Sequence, residues 1–288
     1  MRKALFPALM VAALAALSGC EEAPEPPSSR PSTPIVAPPS VEPSEESLAY
    51  ARYYAGVQQR LLTQGLLRTD GGGPDTPIVA RNLVANFERI ALYTESANDG
   101  QRIVARQTES LVHRWDTPIR MKVEFGASVP LEQRQVDRTR VTNYAQRLGK
   151  LTGVPIRMTN GDANFNVFVV NEDERRALGP RLRQILPSGS EATISAVVDM
   201  PRSDYCLVFA WTSAERASYT NAVAIIRGEH PDLMRLSCIH EELAQGMGLP
   251  NDSPSARPSI FNDDEEFAFL TGHDELLLKI LHDHRIKS

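Results

Sequence analysis

The stretch CIHEELAQGMGLPNDS, Cys238–Ser253, decides how the rest of the chain is read. It reads as a helix carrying the pair His240 and Glu241, a second carboxylate at Glu242, and a glycine at Gly248. Such a stretch is a metal site, an altered one, or an acidic helix end, and the elements around it must decide.

Working outward, TNAVAIIRG (Thr220–Gly228) is expected as a short strand at the end of the strand series, just before the motif helix. YCLVFAW (Tyr205–Trp211) and ANFNVFVVN (Ala163–Asn171) are expected as earlier strands, with DERRALGPRLRQIL between them as a short broken helix. TPIRMKVEFG (Thr117–Gly126) alternates Ile119, Met121, Val123 and Phe125 on one face, a strand signature. A long helix from Leu131 to about Leu151 follows it. After the motif come the irregular PNDSPSARPSIFNDDEE and a last helix, HDELLLKILHDHR. Without a regular βαβ rhythm, this predicts an α+β domain over residues 117–288 with a mixed sheet, a motif helix and a C-terminal helix. Residues 47–116 form an N-terminal helical section: Leu48, Tyr54, Val57, Leu61 and Leu62 have helical spacing, and TPIVARNLVANFERIALYTES is a second helix or a strand–helix pair.

The N-terminus has another character. Residues 1–20, MRKALFPALMVAALAALSGC, have the basic start, apolar run and small-residue end of a secretory signal. Their end, LSGC, resembles the lipobox of bacterial lipoproteins. That resemblance implies acylation of Cys20, membrane anchoring, and, with Glu21 behind it, an outer-membrane position facing the periplasm. Residues 21–46 are rich in Pro, Ser and Glu with few large apolar groups, so they are expected as a disordered tether. With Cys20 acylated, Cys206 and Cys238 remain, and an oxidising compartment favours a disulfide worth on the order of 3 kcal/mol; two buried free thiols are the alternative. A hydrophobic fraction of 42% suits a sizeable core, and a net charge of -5 argues against a nucleic-acid partner.

The motif can be laid on zinc-peptidase patterns in two registers. With HExxH on His240 and Glu241, Ala244 falls where the second histidine belongs. One residue later, EELAQGMGLPND resembles the extended helix pattern of metzincins. Glu242 then takes the general-base position, Gly248 the turn, and Glu241, Gln245 and Asn251 the three ligand positions. Downstream, Ser259, Ile260 and Phe261 resemble the turn that underlies the metal in that family, with Phe261 in place of methionine, and Leu270, Thr271 and Asp274 resemble the start of its final helix. Metzincins keep a substrate-holding edge strand just before the motif helix, a place that TNAVAIIRG would fill. From Ser47 to Ile286 the chain also resembles a bacterial lipoprotein family with only an unknown-function label, domain-of-unknown-function family 2927, on LLRTD, RNLVANFERIAL, HRW, the motif and SIFNDDEEFAFLT.

Zinc prefers nitrogen and sulfur donors, whereas a carboxylate with two amides is a weak, hard set. The expectation is therefore a degenerate metal site, no cofactor, and a binding or structural module whose partner is an extended peptide or an envelope protein. The alternative is an atypical zinc or other divalent-metal hydrolase with Glu242 as base, recruiting His240 or Asp252. His240 is otherwise expected beside the site, His273, His282 and His284 in solvent, and Arg114 and Trp115 in packing. Ser259 has no nucleophile-elbow context.

Overall fold

The computed structural model describes residues 41–98, 103–187, 190–213 and 216–286. The signal segment, Cys20 and most of the tether lie outside the described residues. Its last six positions, 41–46, do not, and the final two are helical rather than disordered: α1 (Glu45–Thr63) begins at Glu45, because Ser44 caps it through Ser47 N and Glu45 and Glu46 place negative charge in the first turn.

After α2 (Ala80–Ala91) the chain turns into β1 (Tyr93–Asn98) and β2 (Ile103–Glu109), an antiparallel two-stranded sheet. The N-terminal section is thus two helices and a hairpin: the stretch expected as a second helix or a strand–helix pair is helix α2 running into strand β1.

The main sheet is built from β3 (Ile119–Phe125), β4 (Ile156–Met158), β5 (Phe165–Val170), β6 (Cys206–Ser213) and β7 (Arg216–Arg227), in the order β4-β3-β5-β7-β6. All neighbours are parallel except β6, which runs antiparallel to β7. This is an α+β fold with a mixed sheet, as the sequence implies. The strand TNAVAIIRG is not at the edge, however: β7 has 12 residues and lies between β5 and β6, so β6 is the edge strand.

The interior position of β7 follows from its two apolar faces. Ala222, Ala224 and Ile226 join the larger core with Phe165, Val167 and Val169 of β5, while Val223 and Ile225 join Phe168 and Val170 in a second core on the opposite face. Buried side chains of α3 (Leu131–Thr152), α7 (Asp232–Gln245) and α8 (Gly272–Leu281) pack into the first core. Leu182 of α5 (Gly179–Ile185) and Ile194 and Val197 of α6 (Glu191–Val198) pack into the second. At the carboxyl ends of β5 and β7, Glu172 of α4 (Glu172–Arg176) forms a buried ion cluster with Arg175 at 2.6 Å and Arg227 at 2.7 Å. Beside it Ser47 Oγ donates to Glu229 Oε1 at 2.8 Å, which docks α1 onto the domain. Among the described residues no helix is long and apolar enough to cross a membrane.

Candidate functional site

The motif helix α7 runs beneath the sheet, burying Met234, Cys238, Ile239, Leu243 and Ala244 and leaving Glu241 half-buried. Its end is held from the segment just before β3: Trp115, 2% exposed, donates its Nε1 hydrogen to Gly246 O at 2.8 Å. Gly248 then turns the chain with φ +125°, where a Cβ would come within 2.2 Å of His113 O. A glycine is required there for both backbone freedom and space.

Between α7, β6 and the segment after the helix lies a cleft of about 640 Å³. Five consecutive residues at the start of β6, Tyr205–Phe209, form one wall. Among the described residues the lining carries seven carboxylates, from Asp199, Asp204, Glu241, Glu242, Asp252, Asp263 and Glu265, together with Gln245, and no Lys, Arg or His. Glu242 is the most deeply set of the motif acids at 3% exposure. Burial raises the Glu265 carboxyl above its ordinary value, and Asp263 and Asp264 add to the shift.

Two of the three matched ligand positions, Glu241 and Gln245, meet in this cleft, and the third does not. Asn251 is 2% exposed and donates from Nδ2 to Arg89 O at 2.7 Å and to Asp252 O at 3.0 Å. Its neighbour Asp252 lines the cleft instead. One carboxylate and one amide, with the third position committed to backbone carbonyls, do not fit a zinc ion. In the same cleft the sulfur of Cys206 and a carboxylate oxygen from each of Glu241 and Glu242 fall within 4.8 Å of one another.

After the helix, the turn Ser259–Phe261 is tied to the start of α8 by one carboxylate. Ser259 Oγ donates to Asp274 Oδ1 at 2.5 Å, Ile260 N to Asp274 Oδ2 at 3.1 Å, and Phe261 N to Ser259 Oγ at 3.0 Å. Asp274 also closes a capping box with Thr271 at the start of α8, and Phe261 is fully buried. Ser259 is thereby a turn residue. Cys206 and Cys238 form the expected disulfide, with 5.9 Å between Cα atoms, and it fastens edge strand β6 to α7.

The histidines divide. His240 sits beside the site: its ring stacks on Tyr144 at 4.0 Å and its Nδ1 accepts from Leu270 N. Burial, aided by Arg147, lowers its pKa to about 3, so it is neutral. His284 is exposed, as expected. His273 is not in solvent: it is 1% exposed and its Nε2 lies 3.1 Å from Asn86 Nδ2. His282 is largely enclosed, with Nδ1 3.1 Å from Leu278 O. Helix-interior spacing would have flagged His273, since it stands four residues before the core residue Leu277.

Four lining acids, Asp199, Asp204, Asp263 and Glu265, are not part of the motif, and the last two belong to the run NDDEE, Asn262–Glu266, plain in the sequence. Asp263 and Glu265 have left-handed backbones, φ +61° and +59°, and the loop is clamped by Leu67 N donating to Glu265 O at 2.8 Å and Arg68 N to Glu266 O at 2.7 Å. The clamp gives the N-terminal section a role at the cleft. No curated protein and no solved structure matches this chain. One family model does match, over residues 80–288 and so over well more than half of the chain, and the chain belongs to that family, described as protein of unknown function (DUF2927).

Proposed function

We propose that the protein is a lipid-anchored envelope protein, held to the outer membrane through Cys20 and facing the periplasm, whose domain captures an extended, positively charged polypeptide in the cleft between β6 and α7. The observation that carries the reading is the coincidence of an edge strand with an acid lining. Among the described residues β6 pairs with β7 on one side, so its other side offers backbone donors and acceptors in the register that an added strand needs. Carboxylates crowded into a concave, partly apolar wall focus a negative potential that attracts and orients cationic side chains. The resemblance of Gly248, Ser259, Ile260, Thr271 and Asp274 to a metzincin-like frame supports a peptide-binding ancestry for the cleft, while Glu241, Gln245 and Asn251 argue for binding without zinc-dependent hydrolysis.

Fluorescence anisotropy with labelled oligolysine and oligoglutamate tests the cleft. Oligolysine should bind, weaken as salt rises, and weaken further on Asp204→Asn with Glu265→Gln; equal binding of both peptides, or no effect of the double change, sinks the reading. Anchoring is tested separately by fractionation. Wild type should sediment with envelope membranes and Cys20→Ser should not.

A further inference from the structure

The corner of the cleft that holds the disulfide also gathers side chains that bind soft metals. His230 lies in the loop between β7 and α7 with its ring 2% exposed, and its Nδ1 is 3.7 Å from Cys238 Sγ. Among the described residues the Nε2 of that ring makes no hydrogen bond, so the sulfur is the polar atom that the imidazole faces. On the other side, the Cys206 sulfur and one carboxylate oxygen from each of Glu241 and Glu242 lie within 4.8 Å of one another. Cys238, Glu241 and Glu242 stand at positions i, i+3 and i+4 of α7, hence on one face of it. Cys206 lines the cleft, whereas Cys238 is 3% exposed.

We propose that reduction of the Cys206–Cys238 bridge turns this corner into a zinc site, with the two thiolates as its core and His230 Nδ1 and a carboxylate of Glu241 or Glu242 completing four donors. While oxidised, the sulfurs are bonded to each other and supply no thiolate, the form that ligates metal. The site therefore exists only after two electrons have been added, and a dithiol is the class of reductant that supplies them. Its thiolate attacks Cys206 Sγ through the cleft, the S–S bond breaks, and Cys238 leaves as a thiolate next to His230. The second thiol of the reductant then displaces Cys206 Sγ, so both cysteines end reduced and the dithiol ends as its own disulfide. Zinc binding releases whatever protons the thiols still hold. Two sulfurs, an imidazole nitrogen and a carboxylate oxygen are a tetrahedral zinc set, unlike the motif positions Glu241, Gln245 and Asn251. No ligand comes from a bound peptide, so the inference stands apart from the proposed occupant of the cleft.

The full chain is reduced with a phosphine, which delivers the same two electrons, desalted without oxygen, and titrated with Zn²⁺ against a chromophoric chelator beside the oxidised protein. The expected result is one zinc per reduced chain, held at least about 100-fold more tightly than by the oxidised chain, since loss of even an outer partner of a zinc ligand costs about 10–100-fold. Co²⁺ in place of Zn²⁺ should show a sulfur-to-cobalt charge-transfer band that Cys206→Ser and Cys238→Ser each diminish. On the reduced chain His230→Ala should weaken zinc by at least about tenfold. Equal affinity in the two redox states, or no zinc on a reduced chain that stays folded, overturns the proposal. If the reduced chain unfolds, circular dichroism reads the outcome: refolding on adding Zn²⁺ supports the site, and no refolding overturns it.

Discussion

Two acids of one neighbourhood are held in opposite ways. Asp274, fully buried, accepts from Ser259 Oγ, Ile260 N, Thr271 N and Thr271 Oγ1, all within 3.1 Å, so the turn after the motif and the start of α8 depend on the same carboxylate. Glu241 stands half-buried on the cleft wall, where its identity contributes to the charge of the lining more than to the packing of the core. A position with a full set of buried donors can hold little besides aspartate. A position on a cleft wall can change from nitrogen to oxygen donor with the fold intact. That contrast separates an acid that holds the fold together from one that only lines the cleft.

The sharpest way to break the contrast is Asp274→Ala. It strands several buried donors at once, and each unsatisfied group costs about 1–3 kcal/mol, so a loss of about 4 kcal/mol in urea unfolding is expected. A loss below about 1 kcal/mol would put the two acids on the same footing. Acid should strike the same half of the molecule. Burial, with Arg114 adding to it and the Leu278 carbonyl opposing, lowers the pKa of His282 to about 4 from 6.5. Between those values the unfolded chain binds the extra proton, so stability falls as pH drops from 6.5 toward 4 and levels below that. The slope is at most about 1.4 kcal/mol per pH unit, hence about 2 kcal/mol at pH 5. His282→Leu should flatten that stretch of the pH profile; an unchanged slope would mean that the ring is solvated. The smallest effects separate the matched ligand positions themselves. Asn251→Ala removes two buried hydrogen bonds and should cost about 1–2 kcal/mol, whereas Gln245→Ala, on the cleft wall, should stay within about 0.5 kcal/mol. Equal costs would show that Asn251 is no more structural than Gln245.

What the sequence discloses follows the reach of its local signals. The alternation in Ile119–Phe125 and the unbroken helical composition after Leu131 give β3 and α3 nearly to the residue. Thr271 and Asp274 are legible because a capping box spans only four positions. β4 has three residues and, among the described residues, pairs only with β3; it is too short for any period to register. The segment EATISAVV is rich in β-branched residues yet forms α6, because packing of Ile194 and Val197 onto the second core overrides propensity. Misplacing β7 at the edge had a visible warning: the continuous apolar run Ala222–Ile226 needs cover on both faces, which only an interior strand has. The turning away of Asn251 had none, since its partner Arg89 O is 162 positions distant.

The bond pair from Leu67 and Arg68 to Glu265 and Glu266 reaches across nearly 200 positions, and it originates upstream of residue 80, where the family match begins. A chain cut at that boundary would keep every matched residue and still release the acid loop. Asp263 and Glu265, whose left-handed backbones cost on the order of 1 kcal/mol each, would then relax toward ordinary conformations and swing their carboxylates out of the lining. The family boundary and the boundary of the segment that holds the cleft loop are therefore different lines, and the second lies at least thirteen residues earlier, at Leu67.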